Sequence, residues 1–298
     1  MNLITKRIIL FLLIFALIFA MPGCGKDKKK ASASSTLTVT FLDVGQGDCA
    51  LVECDGEYML IDAGPKGSSD KVRKYLLREN VYTLKYLVLS HLDEDHIGGI
   101  LKDALRNVSV EYVLSNQNIS VNTELERKLI AYKQKIPKKG DTFQLGSAKV
   151  EVISVRSENR NDSLVLMIHH GKTRFLFTGD IEAAQQKAVA DTLLGMSKEL
   201  KKAEVLIKMP HHGAYNPDNS FLDGITENYL ATLVNHSYAR YFVISVGENN
   251  RYDHPHKKTL EIIEQALPSG KHKKDCLFRT DENGDIVFTS NGKKITPS

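Results

Sequence analysis

Ser90-His91-Leu92-Asp93-Glu94-Asp95-His96-Ile97-Gly98-Gly99 is the stretch on which the reading of this chain turns. His91, Asp93, Asp95 and His96, all able to ligate a metal, fall within six residues. They follow Tyr86-Leu87-Val88-Leu89, a short apolar run with the composition of a buried strand. A tight turn at the end of such a strand can aim His91 and Asp93 at one cation and Asp95 and His96 at a second. Asp93, Glu94 and Asp95 would repel one another at this spacing without a counter-cation. An isolated histidine is usually a surface residue, but His-x-Asp-x-Asp-His before Gly-Gly is far more specific. It predicts a metal site at the end of a strand.

Working outward, residues 37–42, 49–54 and 58–61 read as strands, with Asp55-Gly56 as a hairpin turn between the last two. Helical patterns cover 68–80, 97–106, 122–134 and 182–194, and strand patterns cover 148–155, 163–168, 173–178 and 203–208. A further helix-strand pair ends near Val246, and 259–266 is helical. Strands at both ends with helices between predict an α/β chain of two sheets packed face to face under helices. No internal repeat, DNA-binding module or second membrane segment is visible.

Three more groups of residues carry chemistry. Asp180 follows Gly179 at a strand end. His169-His170-Gly171-Lys172 reads as the turn of a symmetric hairpin, which sets Asp180 opposite Asn161 and puts both histidines roughly 25–30 Å away. His211-His212-Gly213 follows Pro210 at the end of a strand, and His254 lies in Tyr252-Asp253-His254-Pro255-His256.

The stretch 90–99 resembles the metallo-β-lactamase signature His-x-His-x-Asp-His, with Asp93 in place of the second His. Phe41-Leu42-Asp43-Val44-Gly45-Gln46-Gly47-Asp48, Leu60-Ile61-Asp62-Ala63-Gly64, Phe177-Thr178-Gly179-Asp180, Pro210-His211-His212-Gly213 and Ile244-Ser245-Val246-Gly247 complete the set. In that order, over residues 37–288, they resemble the ComEC-like competence proteins. The resemblance implies a four-layer αββα sandwich of two mixed sheets and a hydrolase holding two divalent metal ions. The metal ligands would be His91, Asp93, Asp95, His96, Asp180 and His212, with Asp180 bridging and Asp95 also in the catalytic set. His212 would bind the second metal and His211 face the substrate oxyanion; the opposite assignment stays open. His254 would be a proton donor or a substrate contact. Asp62 would hydrogen-bond a metal-bound His, while Asp48 either faces the site or closes its turn. Asp43 shares that motif. Asn161 stands where the wider superfamily has a metal-binding His. Replacing imidazoles by oxygen shifts preference from Zn²⁺ toward Mn²⁺ or Mg²⁺. A single metal at Asp95, His96, Asp180 and His212 is the alternative.

Residues 1–23 resemble a bacterial lipoprotein signal: Lys6 and Arg7, an apolar run over 8–21, then Pro22-Gly23-Cys24. Lipid on Cys24 would hold the protein at the extracytoplasmic face of the membrane, as would an uncleaved anchor. Residues 24–36 are a Lys-, Ser- and Ala-rich flexible tether, and 37–298 form the hydrolase domain. The whole chain has 40 bases and 36 acids; setting aside the six bases and one acid of residues 1–36 leaves 34 and 35. The domain is therefore near neutral, and no broad phosphate-binding surface is implied. Cys49, Cys54 and Cys276 lack metal-site spacing and read as small buried apolar residues.

The expected reaction is hydrolysis of a phosphodiester, with extracellular DNA as substrate. An envelope phosphoesterase, such as one removing phosphorylcholine from teichoic acids, is the alternative; the absence of Trp weakens it, since a choline cage is aromatic. A β-lactamase is disfavoured by the missing imidazoles, and a non-catalytic metal-binding module by the near-complete ligand set. ComEC is a membrane channel carrying such a domain, and the sequence leaves open a separate channel protein as a partner.

Overall fold

The computed structural model describes residues 35–155, 162–215, 229–267 and 269–298. The expectations on residues 1–23, Cys24 and Asn161 lie outside them. Among the described residues no helix is long and apolar enough to cross a membrane.

The chain opens with β1 (Leu37–Phe41), β2 (Ala50–Cys54) and β3 (Glu57–Ile61), an antiparallel meander. Asp55 and Gly56 form the β2–β3 turn at φ 53° and 82°, the conformation that an Asp-Gly pair favours in a two-residue hairpin. After α1 (Ser69–Arg78), β4 (Thr83–Leu89) joins parallel to β3. Then come α2 (Glu94–Leu101), β5 (Ser109–Ser115), α3 (Thr123–Leu129) and β6 (Lys133–Lys135). The second sheet starts with β7 (Thr142–Leu145), β8 (Ala148–Ser154), β9 (Val165–His170) and β10 (Thr173–Phe177). Beyond α4 (Ala183–Gly195) it continues with β11 (Glu204–Lys208), α5 (Tyr229–Ser237), β12 (Tyr241–Ile244), α6 (Lys257–Ala266) and β13 (Leu277–Arg279). Finally β14 (Ile286–Ser290) and β15 (Ile295–Pro297) return to the first sheet.

The sheet orders are β15-β14-β1-β2-β3-β4-β5-β6 and β13-β12-β11-β10-β9-β8-β7. Both mix parallel and antiparallel pairs, as expected. Their inner faces share one core, in which Phe41 of one sheet stacks on Phe177 of the other at 5.7 Å between ring centroids. Val72, Leu76, Ile97 and Ile100 cover the outer face of the first sheet, and Val189, Leu193, Leu233 and Ile263 that of the second. Central strands are thus buried on both faces, which is why they read as continuous apolar runs. Cys49, Cys54 and Cys276 are buried free thiols, with Cys49 and Cys54 in different core layers.

Three expectations need correction. Helix α2 begins at Glu94 rather than at 97, so Asp95 and His96 sit in its first turn behind the extended residue Asp93. Gly98 and Gly99 are inside the helix because it packs against the loop after β3. The Gly99 amide donates to the Gly64 carbonyl at 2.8 Å, and a Cβ there would collide with the Ala63 carbonyl. Next, the β9–β10 turn is Gly171-Lys172, with His170 paired to Thr173. His169 and His170 are therefore strand residues, and continuing that register sets Asp180 opposite Ser163 rather than Asn161. Gly171, at φ 55°, permits the tighter turn. Third, β5, β6, β7, β13, β14 and β15 are absent from the sequence reading, being short or interrupted by polar residues.

Gly99→Ala is expected to destabilise the domain by about 1–3 kcal/mol, the usual cost of overpacking. A calorimetric melting temperature equal to wild type would refute that close helix–loop contact.

Candidate metal centre

Every candidate ligand lies at or just beyond the carboxyl end of a strand. The loop after β3 supplies Asp62, that after β4 Ser90 and His91, and the first turn of α2 Asp95 and His96. Opposite them, the loop after β10 supplies Asp180 and that after β11 supplies His211 and His212. Crevices at strand carboxyl ends are the usual ligand sites of α/β sheets.

Asp62, held at φ 57°, accepts from the Ser90 amide at 2.8 Å and the Ser90 hydroxyl at 2.6 Å. Its carboxylate also accepts from His96 Nδ1 at 2.8 Å. That bond fixes the tautomer and turns His96 Nε2 into the crevice. His212 is oriented the same way: its Nδ1 donates to the Ser245 carbonyl at 2.9 Å, leaving Nε2 free to face Asp95 Oδ2 at 3.2 Å. Asp180, whose amide donates to Ser163 Oγ at 2.9 Å, directs its carboxylate between the two rings. Asp180 Oδ2 lies 3.3 Å from His96 Nε2, 3.4 Å from His212 Nε2, 3.8 Å from His211 Nε2 and 4.0 Å from His91 Nε2.

Asp95, His96, Asp180 and His212 offer donor atoms within 4.8 Å of one another. His96 Nε2 and Asp180 Oδ1 are buried without a hydrogen-bond partner, which is costly unless something else engages them. Burial would lower the pKa of His96 and of His212, yet Asp180 and the neighbouring carboxylates lift both well above the ordinary histidine value. Asp180 is held well below the carboxylate range against its burial, by His212 and His96. The pocket therefore draws in positive charge, and two imidazoles with two carboxylates suit a divalent cation.

The remaining predicted residues stand at graded distances. His91 is buried and held below its ordinary pKa, first by burial and then by His96, which keeps it neutral as a ligand must be. Its Nε2 is 3.8 Å from Asp93 Oδ2, on a side chain 65 % exposed. His91 and Asp93 thus flank the four-residue group without joining it. His211 also stays outside, with Nδ1 3.8 Å from Glu182, so geometry separates the two neighbouring histidines. His254 stands at 6.4 Å from the His212 ring and 5.8 Å from the His211 ring, centroid to centroid. Burial and the imidazoles of His256, His211 and His212 bring its pKa down to about 4, so at neutral pH it is an uncharged imidazole with one ring N–H and one acceptor nitrogen. Asp43 is corrected: its carboxylate pairs with Lys71 at 3.1 Å and accepts from the Gly45 amide, away from the ligands.

Asp48 faces the site from beneath. One oxygen is 3.4 Å from His212 Nδ1 and the other is paired with the ammonium of Lys208. Lys208, 2 % exposed, is the functional residue that sequence reasoning missed. Its signal is a lone Lys at the end of the apolar strand Val205-Leu206-Ile207, just before the histidine pair. Asp48, Asp62 and His96 also approach one another closely, but the Lys208 ammonium and the His96 Nδ1–H already supply the positive partners there. That lower group is an ion-pair layer supporting the ligands.

The two mixed sheets under helices define the metallo-β-lactamase fold, with a candidate metal centre at its strand ends. The model of the metallo-beta-lactamase superfamily matches residues 42–156. Competence protein ComA of Neisseria gonorrhoeae is 25 % identical over 274 residues, covering 91 % of this chain and 35 % of that protein. ComE operon protein 3 of Bacillus subtilis is 28 % identical over 282 residues, covering 86 % of this chain and 33 % of that protein. Recombination protein 2 of Haemophilus influenzae is 31 % identical over 240 residues, covering 78 % and 27 %. The chain spans about a third of the length of these relatives. Among solved structures, the metallo-beta-lactamase fold protein YhfI from Bacillus subtilis shares the fold with a TM-score of 0.53 at 12 % identity, covering 86 % of this chain and 100 % of its own. CmlA, a diiron β-hydroxylase from Streptomyces venezuelae, does so with a TM-score of 0.52 at 13 % identity, over 81 % and 52 %.

Two variants test this layer. Asp62→Asn is expected to lower metal affinity about 10–100-fold, the usual effect of losing a ligand's supporting carboxylate; unchanged affinity in a chelator competition would show that Asp62 does not orient His96. Lys208→Met removes the ammonium from buried Asp48 and leaves it only the His212 contact, at an expected cost of up to about 3–5 kcal/mol near pH 7. In the wild type Lys208 and His212 outweigh burial and hold Asp48 well below the carboxylate range. Its contribution is thus present above the unfolded carboxylate pKa and lost as pH falls toward the folded value. The deficit of the variant should shrink on acidification below the unfolded carboxylate pKa, as urea titrations at about pH 7 and about pH 3 would read. A deficit independent of pH would contradict the ion pair.

Proposed function

We propose that the domain hydrolyses phosphodiester bonds of nucleic acid at the extracytoplasmic face of the membrane. The observation that carries this is the group Asp95, His96, Asp180 and His212, converging at a crevice with His211 and His254 on its rim. The competence relatives support nucleic acid as the substrate class.

Asp95, His96, Asp180 and His212 would hold one divalent cation, the second metal of the resemblance, and His91 and Asp93, with Asp180, the weaker first one; that oxygen-rich first set favours Mn²⁺ or Mg²⁺. Bound there, such cations supply Lewis-acid polarisation of the phosphate and lower the pKa of an attacking water. Asp62 and the Ser245 carbonyl hold the two imidazoles in the ligating tautomer throughout. His211, on a left-handed residue at φ 49°, is aimed at Asp180 and stands beside any phosphate bound in the crevice. As a hydrogen-bond donor it offsets charge building on the phosphate oxygens. His254, neutral at physiological pH, serves as a substrate contact. Lys208 and Asp48 carry no reacting proton; they keep the floor of the site charged and ordered.

The test uses the full chain, stripped of metal and refilled with Mn²⁺, Mg²⁺ or Zn²⁺. DNA cleavage should depend on metal and fall at least about 100-fold in Asp95→Ala, corresponding to about 2.7 kcal/mol of barrier. Metal-bound protein that cleaves a small chromogenic diester and leaves DNA intact would move the substrate to the envelope. Cleavage unaffected by Asp95→Ala would remove this site from the reaction.

A further inference from the structure

The crevice continues past the metal-type ligands into an open groove of about 550 Å³. Asp93, Glu94 and Asp95 line one wall, and Asn250, Arg251 and Tyr252 line the other. That second wall is built as a ladder of flat groups. His254 lies over His212 with ring planes 29° apart, and Tyr252 lies over His254 at 5.6 Å with planes 25° apart. The Arg251 guanidinium lies 4.8 Å from the Tyr252 ring centroid and donates to the Tyr252 hydroxyl at 2.6 Å. The ladder leads from the fully buried His212 to Tyr252, which is 46 % exposed, and to exposed Arg251. Asn250 holds the loop, its side chain donating to the Gly247 carbonyl at 2.9 Å and to the His254 carbonyl at 2.6 Å.

Nothing in the chemistry assigned to the crevice requires Tyr252 or Arg251. They continue the stack of flat groups that begins at His212. Among the described residues lining the groove, Arg251 is the one cation, facing three carboxylates. A phosphodiester strand entering the crevice would otherwise meet only negative charge outside the metal.

We propose that Arg251, backed by Tyr252, forms a nucleotide subsite, in which an unpaired base beside the scissile phosphate stacks on the outer face of the guanidinium and the guanidinium edge pairs with the adjoining phosphate. This rests on the nucleic-acid reading of the site and extends it to a single-stranded segment or strand end. Guanidinium and aromatic planes accept any base by stacking, without reading sequence. The same arrangement works against a quaternary ammonium headgroup, because the cation place over Tyr252 is already taken by Arg251.

The experiment measures binding of the Mn²⁺-loaded full chain to a 12-nucleotide oligothymidylate with cleavage-resistant phosphorothioate linkages, and to the same backbone without bases. Removing the bases should weaken wild-type binding about tenfold, within the range of a stacking contact. In Tyr252→Leu and in Arg251→Lys, which keeps the charge and loses the plane, that ratio should fall toward one. Arg251→Gln should reduce the salt dependence of binding by about one counterion, and Arg251→Lys should leave it unchanged. A base-to-abasic ratio equal in wild type and both variants, from a protein that cleaves DNA, overturns the subsite alone. A wild-type protein that neither binds the oligonucleotide nor cleaves DNA overturns the nuclease reading together with it.

Discussion

A single oxygen, Asp180 Oδ2, lies within 4.0 Å of the Nε2 atoms of His91, His96, His211 and His212. Two of these histidines belong to the first sheet's loops and two to the second's, so this contact exists only when the sheets pack face to face. A buried carboxylate is costly unless positive charge meets it. The imidazoles of His96 and His212, whose pKa values it lifts well above the ordinary histidine value, meet it here, and a divalent cation would do so more completely. Fold and site are therefore not separable: the Phe41–Phe177 stack that seals the sandwich beneath is also what brings the two ligand sets to one point.

Beneath the ligands lies a layer with no reacting atoms. Asp62 holds Ser90 and His96, and Lys208 holds Asp48, which in turn faces His212. A buried ion pair of this kind contributes little net stability, because desolvation offsets most of the attraction. Its effect is specificity: each imidazole is left one orientation, with Nδ1 committed and Nε2 turned to the crevice. Strain is stored nearby as well. His211 and His212 both occupy the left-handed region, at φ 49° and 53°, a conformation costing about 1–3 kcal/mol per residue that persists only where surrounding contacts impose it. The turn after β11 is thus shaped for the site.

The rim differs from the floor. Its residues come from loops rather than from strand ends. The neutral His254 stacks between a ligand imidazole and Tyr252, which makes it a wall of the crevice. Since the chain covers only about a third of its competence relatives, the features it shares with them are those of the metal-site domain.

Much of this was legible in the primary structure, for a physical reason. Metal ligands need particular side chains at short, regular offsets from strand ends, and both are properties of sequence. His91, Asp93, Asp95, His96, Asp180 and the histidine pair stand out on that ground, as do the two-sheet class and the Asp55-Gly56 hairpin. What stayed hidden depends on which surfaces meet. Gly98 and Gly99 lie within a helix rather than before it, because the helix must press on the loop after β3. His169 and His170 are strand residues, because Gly171 allows a two-residue turn. Lys208 reads locally as an ordinary strand-end lysine; only the approach of Asp48 from the other sheet gives its charge a partner and its burial a reason. The choice between His211 and His212 was likewise undecidable from two adjacent letters. Only the tertiary structure sets the two apart: the Ser245 carbonyl engages His212 Nδ1 and turns its ring inward, while His211 lies on the rim.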